Sequence, residues 1–476
     1  MAQLGSDLES VRRVFADHGQ AHVFAFWDQL DAPARRGYLA QLRRLAPMLP
    51  DWVAGRRRAI SELTQVKQAQ LAPMPVEALP EFGGNEPLRE SARLAGEDLL
   101  ASGRVAILVV AGGQGTRLGF QGPKGAFPVG PLTDRSLFHL QAQKILGLSR
   151  KLGKPIPWYV MTSPATDSET RALFRAAGFF GLKPSDVMIF SQDQVPCSDL
   201  EGNLILEGCD RVAESPNGHG GSLVALVESG ALDDMARRGI DRIFYYQVDN
   251  PLIRMADPLL LGLQEIQGAE MACKVIRKRD PQEKVGVLAR VDGRAGIVEY
   301  TEIQDPEKSQ IDSSGELVFW AGNIAIHSFS TGFVRRVAEQ ADALLPYHAS
   351  AKQIRQVNSE GQTVAPDEPN GYKLERFVFD ALPAADRVSI LEVRPSEEFA
   401  PIKNAKGKDS PDSVRKELDQ QYRDWLSKAG VAVPAGIQVI EIDHEYVDSA
   451  EDALTLGVNR IEDAAPMIQG STGMRV

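Results

Sequence analysis

One stretch of the chain, residues 104–125 (RVAILVVAGGQGTRLGFQGPKG), combines residue types that could hold a polyphosphate. Glycine has no Cβ, so its backbone can adopt positive φ and approach a ligand closely, and successive amides can form a concave anion site. The loop carries Gly112, Gly113, Gly115 and Gly119. Two cations, Arg117 and Lys124, lie on the same loop. These residues predict a cradle for a triphosphate.

The element that must position this loop is the apolar run before it, residues 105–110. The run contains β-branched residues and no charge, which is typical of a strand buried on both faces of a parallel sheet. Open α/β sheets bind ligands outside the carboxyl ends of their strands. The sequence therefore predicts a binding site at the carboxyl end of a central strand.

Other known types of glycine-rich loop match this stretch of sequence less well. A Walker loop is excluded because no Gly-Lys-Ser/Thr follows. The dinucleotide fingerprint fails at its third glycine, where Leu118 stands, and Asp134 lies in a turn rich in Pro, Gly and Thr instead of closing a second strand. An ordinary strand-to-helix turn would not need four glycines and two cations. A nicotinamide-dependent oxidoreductase is kept as an alternative hypothesis.

The motif GGQGTRLG followed by Pro123-Lys124-Gly125 resembles the signature of sugar-nucleotide pyrophosphorylases. The form with Gln114 is similar to the UDP-N-acetylhexosamine pyrophosphorylase branch of the UTP:sugar-1-phosphate uridylyltransferases (UDPGP type 1). Further matches extend the resemblance from the N-terminal helices to about Ala405. It implies UTP and a sugar 1-phosphate as substrates, and a UDP-sugar and pyrophosphate as products. It also implies nucleotide contacts by Val110, Ala111, Gly112 and Gly113.

Composition narrows the class of protein. The 476 residues exceed one typical domain, and a hydrophobic content of 43% is ordinary for a globular protein. The net charge of −11 argues against nucleic acid or an anionic membrane as a partner. The three cysteines lack metal-ligand spacing, no apolar segment reaches about 18 residues, and the N-terminus has no signal-peptide pattern. We therefore expect a cytoplasmic protein without a membrane partner.

Periodicity predicts the organisation of the chain. Helical spacing of apolar residues predicts an N-terminal helical extension over residues 1–100. Strands alternate with helices over residues 101–405, which is typical of a doubly wound, mainly parallel, Rossmann-like α/β domain that would be catalytic. Residues 406–476 are predicted to form a small C-terminal α+β region. Within the catalytic domain, Ser136 is predicted to cap a helix that ends near Leu152.

The resemblance implies three more nucleotide contacts. Gln192 follows an apolar strand, and its amide offers a donor and an acceptor that suit a uracil edge, although a lone glutamine is more often a surface residue. Residues 215–222 (SPNGHGGS) form a second glycine-rich turn, which includes Gly218 and opens a helix whose amides favour an anion or a sugar hydroxyl. Lys373 aligns with a nucleotide-contacting lysine. Its surroundings, residues 369–382, predict a turn opening an amphipathic helix.

Four residues are candidates for sugar binding. His219 stands where N-acetylhexosamine enzymes usually carry Asn, and His at this place is more typical of UDP-glucose-type relatives. In the β-rich segment 271–329, the motifs around Glu299, Tyr300 and Asn323 match the sugar contacts of the N-acetylhexosamine branch. Carboxylate, phenol and amide groups suit hydroxyl and acetamido groups. Strand composition alone would make these three alternating surface residues.

A candidate metal ligand ends the aromatic-rich strand of residues 242–250 (RIFYYQVDN). Mg²⁺ takes one or two carboxylates together with phosphate oxygens, so Asp249 fits a Mg²⁺ ligand, with Mn²⁺ as a substitute. A turn or cap aspartate is the other interpretation. The resemblance assigns Asp249 to both the metal and the nucleotide. It also implies that Lys403, in EFAPIKNA, reaches the triphosphate.

Together these assignments predict in-line attack of a sugar 1-phosphate on the α-phosphate of UTP. A phosphate monoester has a second pKa of about 6, so the nucleophile is already ionised and no general base is required. Arg117, Lys124 and Lys403 are the predicted catalytic residues, because bringing two anions together needs cations. N-acetylglucosamine 1-phosphate is the preferred sugar and glucose 1-phosphate the alternative. A non-catalytic UDP-sugar sensor and a guanylyl or adenylyl transferase are the remaining hypotheses.

Overall fold

The computed structural model describes residues 2–64, 69–300, 302–303, 305–455 and 474–475. Predictions for the remaining positions, including residues 456–473 of the predicted C-terminal region, lie outside the described residues. Among the described residues, no helix is both long and apolar enough to cross a membrane.

The α-helices are numbered in chain order. They are α1 (Ala2–Asp17), α2 (Ala32–Leu45), α3 (Leu49–Thr64), α4 (Glu86–Ser102), α5 (Leu137–Leu152), α6 (Asp167–Ala176), α7 (Gly221–Glu228), α8 (Ala231–Arg237), α9 (Pro258–Ile266), α10 (Thr331–Glu339), α11 (Ala341–Leu344), α12 (Pro395–Glu398), α13 (Pro411–Lys428) and α14 (Ala450–Leu454).

The strands are numbered in the same way. They are β1 (Leu71–Pro73), β2 (Val105–Val110), β3 (Trp158–Thr162), β4 (Val187–Ser191), β5 (Gln194–Pro196), β6 (Ser198–Asp199), β7 (Leu206–Gly208), β8 (Arg211–Val212), β9 (Glu214–Pro216), β10 (Arg242–Gln247), β11 (Met271–Arg277), β12 (Val287–Val291), β13 (Arg294–Val298), β14 (Ala321–Ser330), β15 (Tyr347–Lys352), β16 (Gln356–Val357), β17 (Thr363–Val364), β18 (Gly371–Arg376), β19 (Val388–Glu392), β20 (Glu441–Ile442) and β21 (Met474–Arg475).

The chain forms two compact units, and each is assembled from three separate segments. The small unit comprises Met1–Gln68, Gln192–Val224 and Val337–Ala381, and the large unit comprises Ala69–Ser191, Ala225–Arg336 and Leu382–Val476. The domain limits that the sequence predicts, at residues 100 and 405, divide the chain differently and stay predictions.

The large unit is a mixed α/β unit built on a central sheet with the strand order β1-β12-β14-β10-β2-β3-β4. Its centre is parallel, because β10, β2, β3 and β4 pair in parallel register, while β14 runs antiparallel to β10. Every residue of β3 and five of six in β2 are buried, which explains why these strands carry apolar and aromatic residues without alternation. The carboxyl ends of β2 and β10 therefore meet at one edge.

Helix α5 follows the glycine-rich loop and packs beneath it. Its N-cap is Ser136, whose side chain accepts a hydrogen bond from the His139 amide, and it ends at Leu152, as predicted. Phe138 on its first turn is fully buried and makes an edge contact with Trp158 of β3, with ring centroids 6.1 Å apart. The buried helix thereby supports the glycine-rich loop.

The small unit combines α1, α2 and α3 with short antiparallel strands. Strands β15, β18 and β6 form a three-stranded sheet, and β5 pairs with β9. The core of the unit combines leucines with large aromatic residues, which include Phe15, Trp27, Tyr38 and Trp52.

The structure corrects one element that carries a candidate residue. Residues 369–382 do not open an amphipathic helix. Instead, Gly371–Arg376 form β18, which pairs with β15 and β6, and a 3₁₀ helix follows at Val378–Ala384. Gly371, Leu374 and Arg376 are buried while Lys373 is half-buried. Pairing with strands distant in sequence therefore overrides the local helical spacing.

Candidate nucleotide site

The loop that follows β2 presents unpaired amides at the carboxyl edge of the sheet. The Ala111 amide still donates to the Met161 carbonyl of β3 at 2.8 Å. Among the described residues, the next three amides, those of Gly112, Gly113 and Gln114, donate to no protein acceptor. Three successive N–H groups without a protein partner are donors available to an anion.

The same loop is held in place by its own backbone. The Gly115 amide donates to the Gly122 carbonyl and the Lys124 amide donates to the Gly113 carbonyl, both at 3.0 Å. Gly119 has a φ of 70°, a conformation that favours glycine. A Cβ on Gly125 would lie 2.1 Å from Phe138 Cε2, so glycine is needed there for packing.

Unlike Gly119 and Gly125, Gly113 is required neither by the backbone conformation nor by the packing of the fold. A Cβ at this position would meet no atom within 4 Å, and its φ lies outside the left-handed region. Gly113 is exposed to solvent. Its lack of a side chain therefore leaves open space beside the unpaired amides.

Lys124 and Asp249 form an ion pair across the carboxyl edge. Lys124 Nζ lies 2.9 Å from Asp249 Oδ2, and the two side chains are only 18% and 12% exposed. Asp249 follows β10, whose register with β2 is continued by the Val248 amide donating to the Val110 carbonyl. The structure thus brings together two candidate residues that are 125 positions apart.

Asp249 offers one carboxylate oxygen that a metal ion could bind. Its Oδ2 accepts from Lys124, whereas Oδ1 accepts no hydrogen bond from any described residue. The described residues contain no cluster of three or more His, Cys, Asp or Glu side chains that could hold a metal. A single carboxylate that shares the ion with phosphate oxygens is the arrangement Mg²⁺ adopts at nucleotide sites, so the residues fit this ion.

The segment that carries Lys403 is tied to the same edge. The Ile402 amide donates to the Asp249 carbonyl at 2.9 Å. Asn250 Nδ2 donates to the Glu398 carbonyl at 2.7 Å and Asn250 Oδ1 accepts from the Ala400 amide at 3.1 Å. Lys403 itself is exposed, with Nζ 5.8 Å from the ring centroid of Phe399.

Two candidate cations have no carboxylate partner in the part of the chain that the structure describes. Arg117 and Lys403 are both exposed and form no ion pair there, in contrast to Lys124. Positive charge that no carboxylate neutralises attracts anions locally, even in a chain with a net charge of −11.

Glu299 and Asn323 lie beside one residue, Gly286. The Asn323 amide donates to the Gly286 carbonyl at 2.8 Å, and a Cβ on Gly286 would lie 3.2 Å from Glu299 Oε1. Asn323 Oδ1 accepts from the Ala325 amide, which leaves its Nδ2 group as the donor available to a ligand. Tyr300 follows Glu299 in a turn and is half-buried.

In the small unit, Gln192 and the second glycine-rich turn are in contact. A Cβ on Gly221 would lie 2.8 Å from Gln192 Oε1, and Gln192 is 5% exposed. Gly218 has a φ of 71°, and a Cβ there would lie 2.5 Å from the Arg376 carbonyl of β18. The turn is therefore pressed against the strand that also carries Lys373.

His219 is a neutral hydrogen-bond donor. Its Nδ1 accepts from the Val378 amide at 3.1 Å, so the ring proton is on Nε2. The ring stacks on Phe377 with centroids 5.2 Å apart and an interplanar angle of 15°. Desolvation, with a further contribution from His348, lowers the pKa of His219 to about 4. This residue therefore offers an N–H group rather than a positive charge.

The chain is similar to proteins of a known family. A model of the family described as UTP--glucose-1-phosphate uridylyltransferase matches residues 56–448. The chain belongs to that family. It is 38% identical over 439 residues to UDP-N-acetylhexosamine pyrophosphorylase-like protein 1 of Homo sapiens, covering 89% of this chain and 86% of that protein. It is 32% identical over 447 residues to UDP-N-acetylglucosamine pyrophosphorylase of Saccharomyces cerevisiae, covering 91% and 94%.

A solved structure of a family relative has the same fold. The uridine diphosphate N-acetylglucosamine pyrophosphorylase of Trypanosoma brucei, crystallised with an inhibitor, superposes with a TM-score of 0.82 at 26% identity. The superposition covers 96% of this chain and 98% of that one. The family resemblance that the sequence motifs predict is thus confirmed.

Some residues that organise the site were not found from the sequence. Ser163 Oγ donates to the Gly112 carbonyl at 2.7 Å and so orients the unpaired amides. Its place directly after β3 was the available signal, because parallel strands end at the same edge. Lys274 and Glu398, which lie beneath Asn250, carry no local sequence signal.

Proposed function

We propose that the chain is a uridylyltransferase, which makes a UDP-sugar and pyrophosphate from UTP and a sugar 1-phosphate. The observation that carries the proposal is the Lys124–Asp249 pair at 2.9 Å beside three unpaired amides at the carboxyl edge of the central sheet. This arrangement can neutralise a triphosphate and hold a metal ion, and membership of the uridylyltransferase family supports the same chemistry.

The reaction forms one bond and breaks one bond at the α-phosphorus. A phosphate oxygen of the sugar 1-phosphate bonds to this phosphorus, and the bridging oxygen to the β-phosphorus leaves with the electron pair as pyrophosphate. No proton has to move, because a phosphate monoester is largely ionised at pH 7. Positioning and charge neutralisation are therefore the tasks left to the protein.

Each candidate group takes one of these tasks. The amides after β2, from Gly112 onward, would hold the leaving pyrophosphate, as anion sites of this kind do. Lys124, Arg117 and Lys403 would neutralise the charge that develops on the phosphate oxygens. Val110, Ala111 and Gly113 would line the same nucleotide cradle.

Asp249 would hold the metal ion, Mg²⁺ or in its place Mn²⁺, while Lys124 occupies its other carboxylate oxygen. When bound, such an ion supplies Lewis-acid stabilisation of phosphate oxygens and of the leaving group. In the small unit, Gln192, Gly218 and Lys373 are proposed to contact the nucleotide, with Gln192 reading the uracil edge.

N-acetylglucosamine 1-phosphate is the sugar substrate that we propose first. The human and yeast relatives carry N-acetylhexosamine or N-acetylglucosamine in their names. The free Nδ2 group of Asn323, together with Glu299 and Tyr300, offers donors and acceptors for an acetamido group. Glucose 1-phosphate is the second candidate, because His219 presents an N–H donor that would serve a hydroxyl equally well and the family description names glucose 1-phosphate.

We also propose the finer organisation that the sequence predicts. The central sheet would be doubly wound and Rossmann-like, with a helical extension over residues 1–100 and a small appendage over residues 406–476. The catalytic domain would then span residues 101–405. A cytoplasmic location is proposed from the cysteine usage.

The test is pyrophosphate release with UTP, Mg²⁺ and a panel of sugar 1-phosphates. Release with N-acetylglucosamine or N-acetylgalactosamine 1-phosphate would support the first choice. Release only with glucose or galactose 1-phosphate would keep the reaction and make His219 the first residue to exchange. UDP-sugar binding without turnover would favour a sensor. NADH binding without any response to UTP would favour an oxidoreductase, and turnover with GTP or ATP in place of UTP would favour the other nucleotidyl transferases.

A further inference from the structure

A cluster of buried charges lies behind the carboxyl edge of the large unit. Lys274, on β11, is fully buried, with 0% exposure. Its Nζ contacts Asp257 Oδ2 at 2.8 Å and also pairs with Glu398 Oε2. Asp257 is the N-cap of α9 and accepts a hydrogen bond from the Leu259 amide. One lysine thus bridges two buried carboxylates that are far apart in sequence.

Such a cluster is unusual inside a core, because charges lose their hydration when they are buried. Burial alone would raise the pKa of Asp257, but the charges of Lys274 and Arg254 outweigh it and lower that pKa to about 2. Replacing buried ion pairs by apolar residues is often neutral or stabilising, so the cluster is weak as a stability device. It is better explained by the arrangement that it enforces.

Hydrogen bonds connect the charge cluster to the segment that carries Lys403. Glu398 ends α12, and its carbonyl accepts from Asn250 Nδ2. The same Asn250 side chain accepts from the Ala400 amide, and two residues later the Ile402 amide donates to the Asp249 carbonyl. Lys403 follows directly. A single buried lysine therefore anchors the start of the segment whose end carries a proposed catalytic cation and whose middle bonds to the proposed metal ligand.

We propose that Lys274 and Glu398 are positioning residues, which hold segment 398–403 against Asp249-Asn250 so that Lys403 and Asp249 face the triphosphate together. The proposal rests on the proposed uridylyl transfer. Neither residue touches substrate, since both are buried, and they act through Asn250, Ala400 and Ile402.

A matched control lies on the same strand. Arg277 is three residues beyond Lys274 on β11, and its Nε lies 2.9 Å from Oε1 of Glu392, a carboxylate that is only 1% exposed. Glu392 accepts from the Leu79 amide and makes no bond to segment 398–403. Removing this second ion pair, in which only the carboxylate is fully buried, disturbs the same strand and the same unit without releasing the segment.

The experiment compares Lys274→Met, Glu398→Gln and Arg277→Met in the full-length chain. We measure kcat and KM for pyrophosphate release, the thermal midpoint, and backbone hydrogen exchange by mass spectrometry. Misplacing a reacting group by about 1 Å lowers the rate by about 100-fold. We expect kcat to fall by about tenfold or more in Lys274→Met, with a smaller fall in Glu398→Gln because glutamine can still accept a hydrogen bond from Lys274. Exchange should accelerate at Ala400 and Ile402, while Arg277→Met keeps both properties.

Each outcome decides between the alternatives. A normal kcat together with protected Ala400 and Ile402 amides in Lys274→Met would overturn the inference. An equal fall of kcat in Arg277→Met would overturn it as well, because the effect would then be general destabilisation. If Lys274→Met does not fold, Glu398→Gln carries the comparison. If the unmodified protein releases no pyrophosphate, the proposed function fails, and hydrogen exchange still shows whether Lys274 holds the segment.

Discussion

Replacement of Gly113 by alanine isolates the part of the glycine-rich loop that a ligand, and not the fold, would require. The added methyl group would meet no protein atom within 4 Å, and the backbone there does not adopt positive φ. Nothing in the described structure opposes the substitution. If the loop cradles phosphates, however, the methyl group occupies the space through which they approach the free amides.

The expected effects on stability and on turnover have opposite signs. A glycine-to-alanine change at an unstrained position stabilises a protein by about 0.4–1 kcal/mol, because the unfolded chain loses conformational freedom. Displacing the reacting phosphates by about 1 Å would lower kcat/KM by about 100-fold. At about 1.36 kcal/mol per tenfold change, this is a loss of about 2.7 kcal/mol of transition-state stabilisation. No general destabilisation of the protein produces that combination.

The assay pairs steady-state pyrophosphate release, with UTP varied at saturating sugar 1-phosphate, with thermal unfolding followed by circular dichroism. Two control variants bracket the result. Gly37→Ala places its methyl group in equally open space, on α2, and should leave the kinetics unchanged. Gly125→Ala forces its methyl group to 2.1 Å from Phe138 and should destabilise the fold by about 1–3 kcal/mol.

An unchanged kcat/KM in Gly113→Ala, together with a thermal midpoint equal to or above that of the unmodified protein, would refute the phosphate-cradle assignment. A lower thermal midpoint would show that the loop depends on this glycine for its own conformation. In that case the kinetic loss could not be assigned to the ligand.

Three further results are expected. Lys124→Ala should lower kcat by about 100-fold or more, because it removes a cation that would neutralise charge on the phosphate oxygens; near-normal turnover would remove Lys124 from the mechanism. The pKa of His219 is about 4 in the folded protein and about 6.5 in the unfolded chain, so its contribution to stability is present above pH 6.5 and is lost as the pH falls toward 4. His219→Asn should flatten this part of the plot of unfolding free energy, measured by urea denaturation, against pH. An unchanged slope would contradict the assignment. A colourimetric thiol reagent should titrate one cysteine rapidly in the native protein and three after denaturation. Burial raises the pKa of Cys273, and that of Cys197 to about 11, whereas Cys209 is partly exposed. Three rapidly reacting thiols in the native protein would contradict the burial.

The glycine-rich loop could be located from the sequence because its determinants are local. A strand without charge, closely spaced glycines and two cations all fall within 22 residues, 104–125, and need no knowledge of distant contacts. The pairing of Lys124 with Asp249 required the sheet, but both residues follow predicted strands, and parallel strands bring such ends together. The loop and its partner were therefore predictable in kind, though not in distance.

Where distant segments decide the conformation, the sequence misled or gave no signal. The spacing of apolar residues around Lys373 suits a helix, yet pairing with β15 and β6 makes a strand of it. Lys274 resembles any lysine in a β-rich stretch, and its buried pairing with Asp257 and Glu398 depends on segments distant in sequence, since Glu398 lies 124 residues later in the chain. Burial of a charge is a property of the assembled core, and composition or periodicity does not encode it.

The interleaving of the two units has a consequence for how the protein is made. The small unit takes its last segment from residues 337–381, and the large unit runs on to the end of the chain. A ribosome adding about 5–20 residues per second needs roughly 16–63 s to pass from the end of the first segment, residue 68, to residue 381, so the small unit is completed late during synthesis. Until then the N-terminal helices lack the apolar contacts that Leu374 of β18 contributes to their core. Nascent chains stalled before residue 381 should therefore depend on chaperones, and neither unit can be produced alone by shortening the gene from one end.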